Sequence, residues 1–413
     1  MKTRLQGTVC LPGSKSESNR ALMIAAYGGF PLAARNLSDA HDTVLLKALL
    51  KQVDNALPSD KTVVDCEDAG TVARFMMTYL ACKPGTWRLE GTERLCQRPM
   101  APLIESLRYL GADITCTDTQ GGLPVVIHGH PIRGGVVALD ASLSSQFASS
   151  LLMAAPTWTQ GLRLSLRGEP VSMPYLEMTL QMMRRFGAGV LREGKVITIQ
   201  PQPYRPEVFD VEADWSAASY WYEMVALSEN GNLLLKGLRR QSLQGDSAVA
   251  GLFAKLGVET EYTPQGAVVS KSGNLTTTPP EPIVFDFKDT PDLFPSILVT
   301  CVALNIKSVF FGITTLYHKE SDRINSLITE LSKLYKFNYE ILDDKIIIDK
   351  SILLKENINI NDIVFKTYDD HRIAMSLASL APLVGGVKIE GERVVNKSYP
   401  GFWKEFESFF QII

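Results

Sequence analysis

The sequence predicts a mixed α/β protein of two domains, assembled from six related units, and three observations carry that prediction. Six short apolar strands are each followed by a polar turn and a helical run rich in Ala, Leu and Met. Between them recurs a second pattern, an amphipathic helix closing on glycine and then strand, tight turn and strand, at a period of about 70 to 80 residues. The chain has 413 residues, of which 45% are apolar and 21% charged. That length exceeds one ordinary core and suggests two or three domains, and six units divide naturally as three per domain, because a single unit cannot bury its own apolar face.

Taken in order, the six strands start at Val9, Val63, Val136, Val208, Ile283 and Ile363. The turns after them hold Ser, Asp, Thr or Gly, the residue types that cap a helix N-terminus. Runs 19–26, 71–82 and 145–155 have the composition of buried helices. Runs 104–110, 180–186 and 252–256 end at Gly111, Gly187 and Gly257, where a C-cap glycine adopts positive φ. Stretches 121–127 and 194–199 then read as hairpins. Before residue 280 Arg outnumbers Lys 17 to 10, whereas the remainder has 3 Arg and 12 Lys. Periodic apolar structure continues through this shift, so it is no linker, and the late arginines Arg323, Arg372 and Arg393 stand out.

A net charge of −3 gives no global attraction for nucleic acid or an anionic membrane, so bound anions must be met by individually placed basic residues. The six cysteines (Cys10, Cys66, Cys82, Cys96, Cys116, Cys301) lack CxxC spacing and read as buried reduced thiols of a cytosolic protein. The opening residues lack an apolar signal core, and Asn305 and Lys307 interrupt the most apolar later stretch, 294–313; neither export nor a membrane span is expected. His128 and His130 alternate without a third ligand nearby, and no Ser-His-Asp or Cys-His signature is present, so no metal and no cofactor are expected.

Turns that open helices concentrate free backbone N–H groups and the positive helix end, a setting for phosphate and carboxylate. The first such turn, Pro12-Gly13-Ser14-Lys15-Ser16, followed by Asn19-Arg20, offers a lysine, hydroxyls and an arginine; without GxxxxGK[ST] spacing it is not a Walker loop. In Asp68-Ala69-Gly70-Thr71 the glycine admits a ligand to the backbone, with Arg74 one helical turn on. Ser144-Ser145-Gln146, with Ser172 and Tyr175 downstream, is a hydroxyl set able to bind phosphate without adding charge. Asp292 follows Pro291 at a helix-opening turn, and Glu320 lies in Lys319-Glu320-Ser321-Asp322-Arg323. Carboxylates beside cations are commonly surface ion pairs, but in a cleft they become tuned acids or bases. Tyr368-Asp369-Asp370-His371-Arg372 and Lys397-Ser398-Tyr399-Pro400 add two cations near late turns.

From Leu11 to Phe402 these motifs, with Gln97-Arg98-Pro99, resemble those of the 5-enolpyruvylshikimate-3-phosphate synthases, carboxyvinyl transferases of the shikimate pathway. The resemblance implies an inside-out α/β barrel of the enolpyruvyl transferase kind, built from six βαβαββ repeats. Residues 14–212 would form the first three-repeat domain and residues 1–13 plus 213–413 the second, with the active-site cleft between them and a twice-crossed hinge near 11–14 and 212–215. It implies the small-molecule substrates shikimate 3-phosphate and phosphoenolpyruvate, a cytoplasmic monomer, and no nucleic-acid or membrane partner. By carry-over, Ser144, Ser145 and Ser172 would hold the shikimate phosphate, and Ser16, Arg20, Gln146 and Tyr175 its carboxylate and ring. Lys15, Arg98, Lys397 and the Gly70 backbone would meet the phosphate of phosphoenolpyruvate, and Arg323 and Arg372 its carboxylate; Lys319 joins the binding set. Glu320 would protonate the methylene and Asp292 align the hydroxyl, with Lys15 also near the transfer.

The chain departs from that pattern at Asp68 (for Asn), Phe75 (for Pro), Met173 (for Lys) and Thr315 (for Asn), and Asp68 adds negative charge beside the expected phosphate site. Two other readings remain open at this level. The sister enzyme, UDP-N-acetylglucosamine enolpyruvyl transferase, uses a loop cysteine as acid, and Cys96 is close to Arg98. A non-catalytic anion-binding protein on the same scaffold would lack an acid or base, and Asp292 and Glu320 are both present.

Overall fold

Six strands are each followed by a helix, and in three of the pairs a side chain of the intervening turn caps it. The pairs are Arg4–Cys10 with Lys15–Gly28, Lys61–Asp65 with Gly70–Cys82, and Gly135–Asp140 with Ser145–Ala154, then Val208–Asp210 with Trp215–Leu227, Ile283–Asp286 with Phe294–Ala303, and Val364–Lys366 with His371–Ala378. Ser144 accepts from Gln146 N at 3.2 Å, Asp214 from Ala217 N at 2.9 Å and Asp370 from Arg372 N at 2.9 Å. Each bond satisfies one of the donors that a helix start leaves open. The computed structural model describes residues 4–58, 61–117, 122–272, 281–354 and 363–410; Gly121, where the first expected hairpin begins, lies outside the described residues.

The chain divides into two compact units, Lys15–Val211 and Met1–Ser14 with Glu212–Ile413. In the first, Lys61–Asp65 pairs parallel with Gly85–Glu90, which pairs antiparallel with Val125–Gly129 and through it with Asp113–Cys116. Gly135–Asp140, Leu162–Arg167, Val196–Ile199 and Val190–Glu193 repeat that order. In the second unit Ile283–Asp286, Ser308–Phe311, Lys345–Leu353 and Tyr335–Leu342 form a third sheet of the same order. A fourth differs in its origin: Asn230–Lys236 takes as parallel partner not the preceding strand but Arg4–Cys10 from the start of the chain. The preceding strand, Val208–Asp210, pairs instead with Ala33–Arg35 in the first unit.

The segments that cross between the units are tied together: Ser14 N donates to Glu212 O at 2.8 Å and Asp214 N to Pro12 O at 2.9 Å, around a bridge between Gly13 and Ala213. Strands in the sheets alternate buried and exposed, as in Leu162–Arg167, so one sheet face meets water. Two of the helices do not alternate. Every residue of Trp215–Leu227 except Ser216 is buried, as are eleven consecutive or near-consecutive positions of Gly70–Cys82. A helix apolar on every side is surrounded by protein, and within the second unit a single core joins Trp215, Trp221, Phe294, Phe310, Ile373 and Phe402. Gly111, Gly187 and Gly257 take φ of +99°, +89° and +77°, the C-cap conformation expected of them.

Candidate functional site

The expected site residues gather into two clusters, one in each unit. In Lys15–Val211 three helices start at Lys15, Gly70 and Ser145, so Lys15, Ser16, Gly70, Ser145 and Gln146 lie in first helical turns rather than in the preceding loops. Lys15 Nζ is 3.0 Å from Asp42 Oδ2, whose side chain is 2% exposed. Arg74 Nη1 donates to Gln146 Oε1 at 2.6 Å, and Gln146 Nε2 donates to Thr71 Oγ1 at 3.0 Å. A chain of bonds thus joins the Gly70 and Ser145 helix starts. A Cβ on Gly70 would stand 2.6 Å from Arg98 Nη1 and 3.0 Å from Arg74 Nη1, so two guanidinium groups crowd this helix start.

Arg20 is anchored by three hydrogen bonds. Its Nε donates to Thr179 Oγ1 at 2.7 Å, Nη1 to Ser16 O at 3.0 Å and Nη2 to Tyr175 O at 3.2 Å. It therefore locks the first helix to Met173–Arg185, and with it the stretch that carries Ser16 and Tyr175. Burial pulls its guanidinium down to about 10, against the opposing fields of Tyr175 and Glu17. Ser172, 9% exposed, immediately precedes that helix at φ +55°, a left-handed conformation that a residue with a Cβ holds only under constraint.

The second cluster centres on Arg323, of which 1% of the side chain is exposed. Its Nη1 donates to Asp292 Oδ1, its Nη2 to Glu320 Oε2 and its Nε to Asp370 Oδ2, each at 2.9 Å. Arg372 Nη2 donates to the other Asp292 oxygen at 2.7 Å, and Nη1 to Tyr220 OH at 3.4 Å. Ser321 Oγ adds a third bond to Asp370, at 3.1 Å. Burial alone would raise Asp292, but Arg372, Lys319 and Arg323 outweigh it and hold the carboxyl well below the usual carboxylate range. Arg323 is likewise held charged: burial works against it, and Asp370, Glu320 and Asp292 overcome that. Lys397, 5% exposed, closes the turn Glu392–Lys397 in the same unit.

Asp370, the cap of His371–Ala378, follows two consecutive left-handed residues, Tyr368 and Asp369, at φ +53° and +54°. Backbone of this kind costs about 1–3 kcal/mol per residue, and Tyr368 OH donating to Glu330 Oε1 at 2.8 Å helps to hold it. Sequence reasoning singled out the Asp370-His371-Arg372 triplet for its arginine and passed over Asp370. It also passed over Tyr220 and Asp246. The Gly245-Asp246-Ser247 turn has the Gly/Asp/Ser signature of the other helix starts and was detectable by the same rule.

Compared with known proteins, the chain matches the EPSP synthase (3-phosphoshikimate 1-carboxyvinyltransferase) family profile over residues 1–406. The chain belongs to the EPSP synthase family. A 3-phosphoshikimate 1-carboxyvinyltransferase from Bacteroides fragilis is 43% identical over 408 residues, covering 98% of this chain and 95% of the relative. One from Syntrophobacter fumaroxidans is 34% identical over 421 residues, covering 98% and 97%. Among solved structures, EPSP synthase from Acinetobacter baumannii superposes with a TM-score of 0.74 at 22% identity, covering 100% of this chain and 96% of that one. An enolpyruvyl transferase from Streptomyces tendae gives 0.72 at 15% identity, covering 98% and 95%. The fold is that of the enolpyruvyl transferases, and the activity of this EPSP synthase family member is 3-phosphoshikimate 1-carboxyvinyl transfer in aromatic amino acid biosynthesis. Of the six cysteines, all free, only Cys66 and Cys301 are buried and Cys10 is exposed, contrary to the expectation of buried thiols; Cys96, the residue behind the sister reading, has its thiol 3.5 Å from Gly91 O. No helix among the described residues is long and apolar enough to cross a membrane.

Proposed function

We propose that Glu320 delivers the proton that the methylene carbon of phosphoenolpyruvate gains, while Asp292 aligns the 5-hydroxyl of shikimate 3-phosphate and takes up its proton. The C2–O bond then forms to give a tetrahedral phospho-ketal, and elimination of phosphate with loss of a methyl proton restores the vinyl group. The observation that carries this assignment is the single guanidinium of Arg323 bound to both carboxylates, Asp292 and Glu320, at 2.9 Å. One cation sets the position of acid and base together. A substrate carboxylate that takes Arg323 Nη2 from Glu320 removes the partner favouring the charged form, and so favours proton uptake when substrate arrives.

In this reading Arg323 and Arg372 receive the carboxylate of phosphoenolpyruvate. Lys15, Arg98, Lys397 and the backbone N–H at Gly70 receive its phosphate, with Lys15 near the transferred protons. Ser144, Ser145 and Ser172 bind the shikimate phosphate, Arg20, Ser16, Gln146 and Tyr175 its ring and carboxylate, and Lys319 adds positive field. Arg20 orders Ser16 and Tyr175 through its bonds to both backbones. Preorganised cations of this kind stabilise charge as it develops. We further infer six βαβαββ repeats, three in each domain, arranged as an inside-out barrel with the substrates held in a cleft; four sheets of one strand order and helices buried on nearly all sides support this. The enzyme acts as a cytoplasmic monomer.

The test is phosphate release from phosphoenolpyruvate with shikimate 3-phosphate or UDP-N-acetylglucosamine as acceptor, with Glu320→Gln as control. Release with shikimate 3-phosphate alone, falling about 10²- to 10⁴-fold in the variant, is expected; undiminished turnover by Glu320→Gln would remove Glu320 from the acid role.

A further inference from the structure

Asp246 lies in the turn Gly245–Ala248 with 2% of its surface exposed. Its Oδ2 accepts a hydrogen bond from Ser216 Oγ, and its Oδ1 has no hydrogen-bond partner among the described residues. Ser216 and Tyr220 are four residues apart on Trp215–Leu227 and share a face of that helix. One helical turn therefore carries Asp246 through Ser216 and Arg372 through Tyr220.

The charged groups whose fields reach Asp246 come from each neighbouring element: Asp292 from the turn Pro291–Leu293, Arg372 from His371–Ala378 and Asp214 from the cap of Trp215–Leu227. The helix that follows, Val249–Ala254, carries no charged side chain. Burial, and then the negative charge of Asp292, push the Asp246 carboxyl up to about 7, against the pull of Arg372 and the Ser216 hydroxyl.

We propose that Asp246 is a positioning residue that weakens the hold of Arg372 on the carboxylate of phosphoenolpyruvate whenever Asp246 is ionised. The proposal rests on Arg372 receiving that carboxylate. A neutral Asp246 leaves the positive field of Arg372 to Asp292 and the substrate. An ionised one adds a second internal anion that competes for the same guanidinium. Because linkage is reciprocal, binding of phosphoenolpyruvate draws a proton onto Asp246.

The experiment is the KM for phosphoenolpyruvate of the full-length enzyme as pH is raised through neutrality, in wild type, Asp246→Asn and Ser216→Ala, with the KM for shikimate 3-phosphate in parallel. Ionisation of the substrate phosphate is common to all three, so differences between variants isolate Asp246. The wild-type KM should rise with pH by about tenfold more than that of Asp246→Asn, the change one pKa unit of coupling produces. Ser216→Ala, lacking a donor that favours the carboxylate, should move the wild-type transition to higher pH. An Asp246→Asn profile parallel to wild type would overturn the proposal, and if that variant does not fold, an unmoved transition in Ser216→Ala would do so. Absence of wild-type turnover at every pH would instead overturn the underlying assignment, and the Asp246 proposal with it.

Discussion

Arg323 Nε donates to Asp370 Oδ2 at 2.9 Å, with 1% and 0% of the two side chains exposed. Asp370 also caps the helix that begins at His371 and accepts from Ser321 Oγ. One buried carboxylate thereby fixes the guanidinium that holds Asp292 and Glu320, the segment bearing Glu320, and the helix bearing Arg372. Removing one partner of a buried ion pair leaves the other uncompensated, at a cost of about 3–5 kcal/mol.

Asp370→Ala should accordingly lose about 3 kcal/mol of stability in urea titration and fall at least about 100-fold in kcat/KM for phosphoenolpyruvate, while Asp370→Asn, which keeps a cap acceptor, should recover much of the stability and little of the activity. Equal recovery of both would show Asp370 to be a cap and nothing more.

Gly70 lies where a methyl group meets the ends of two long side chains, Arg98 and Arg74, at 2.6 and 3.0 Å. Those ends can swing away, so the fold should tolerate Gly70→Ala; the position of the Arg98 guanidinium should not. The expected outcome is a thermal midpoint within about 2 °C of wild type, the range of ordinary small substitutions, with KM for phosphoenolpyruvate raised about tenfold and KM for shikimate 3-phosphate nearly unchanged. Equal loss for both substrates would contradict the assignment of Arg98 to the phosphoenolpyruvate phosphate.

Glu223 is 0% exposed in the middle of Trp215–Leu227, and neither of its oxygens has a hydrogen-bond partner among the described residues. Burial pushes its carboxyl well above the usual range. The folded state therefore keeps a proton that the unfolded state releases near the ordinary glutamate value, so stability is full below that value and falls as pH rises toward the folded one. Glu223→Gln removes this slope. It should match wild type near pH 4 and then exceed it by up to about 1.4 kcal/mol for each pH unit above the ordinary glutamate value, because only wild type must hold a proton that the unfolded chain releases; calorimetric unfolding across that range checks it, and parallel wild-type and variant curves would exclude a buried neutral Glu223.

Much of the secondary structure was legible because its causes are local. Asp214, Ser144 and Asp370 cap helices that begin at the next residue, and Gly111, Gly187 and Gly257 end helices by a conformation that glycine reaches without steric cost. The helix starts were less legible: the first helix opens at Lys15 and not near Asn19, and its buried Ser18, Asn19 and Arg20 bond to distant partners, Ser38, Thr43 and Thr179. The strand exchange that pairs Arg4–Cys10 with Asn230–Lys236 was likewise invisible, since parallel partners can lie anywhere along a chain.

The sequence by itself determined which chemistry is present: two cation-bearing helix starts, a hydroxyl set at Ser144, Ser145 and Ser172, and carboxylates Asp292 and Glu320 beside cations, in an order that marks the family. Only the tertiary structure decided how those charges are spent. Asp292 is bound at once by Arg323, 31 positions away, and Arg372, 80 positions away, and Arg20 is committed to Thr179, 159 positions away. Such bonds join side chains that packing of several helices and sheets brings together, and in that buried setting a charge is retained only where partners outweigh its lost hydration. No local pattern encodes that balance, which is why the bond of Asp370 to Arg323 and that of Tyr220 to Arg372 emerged from the fold and not from the sequence.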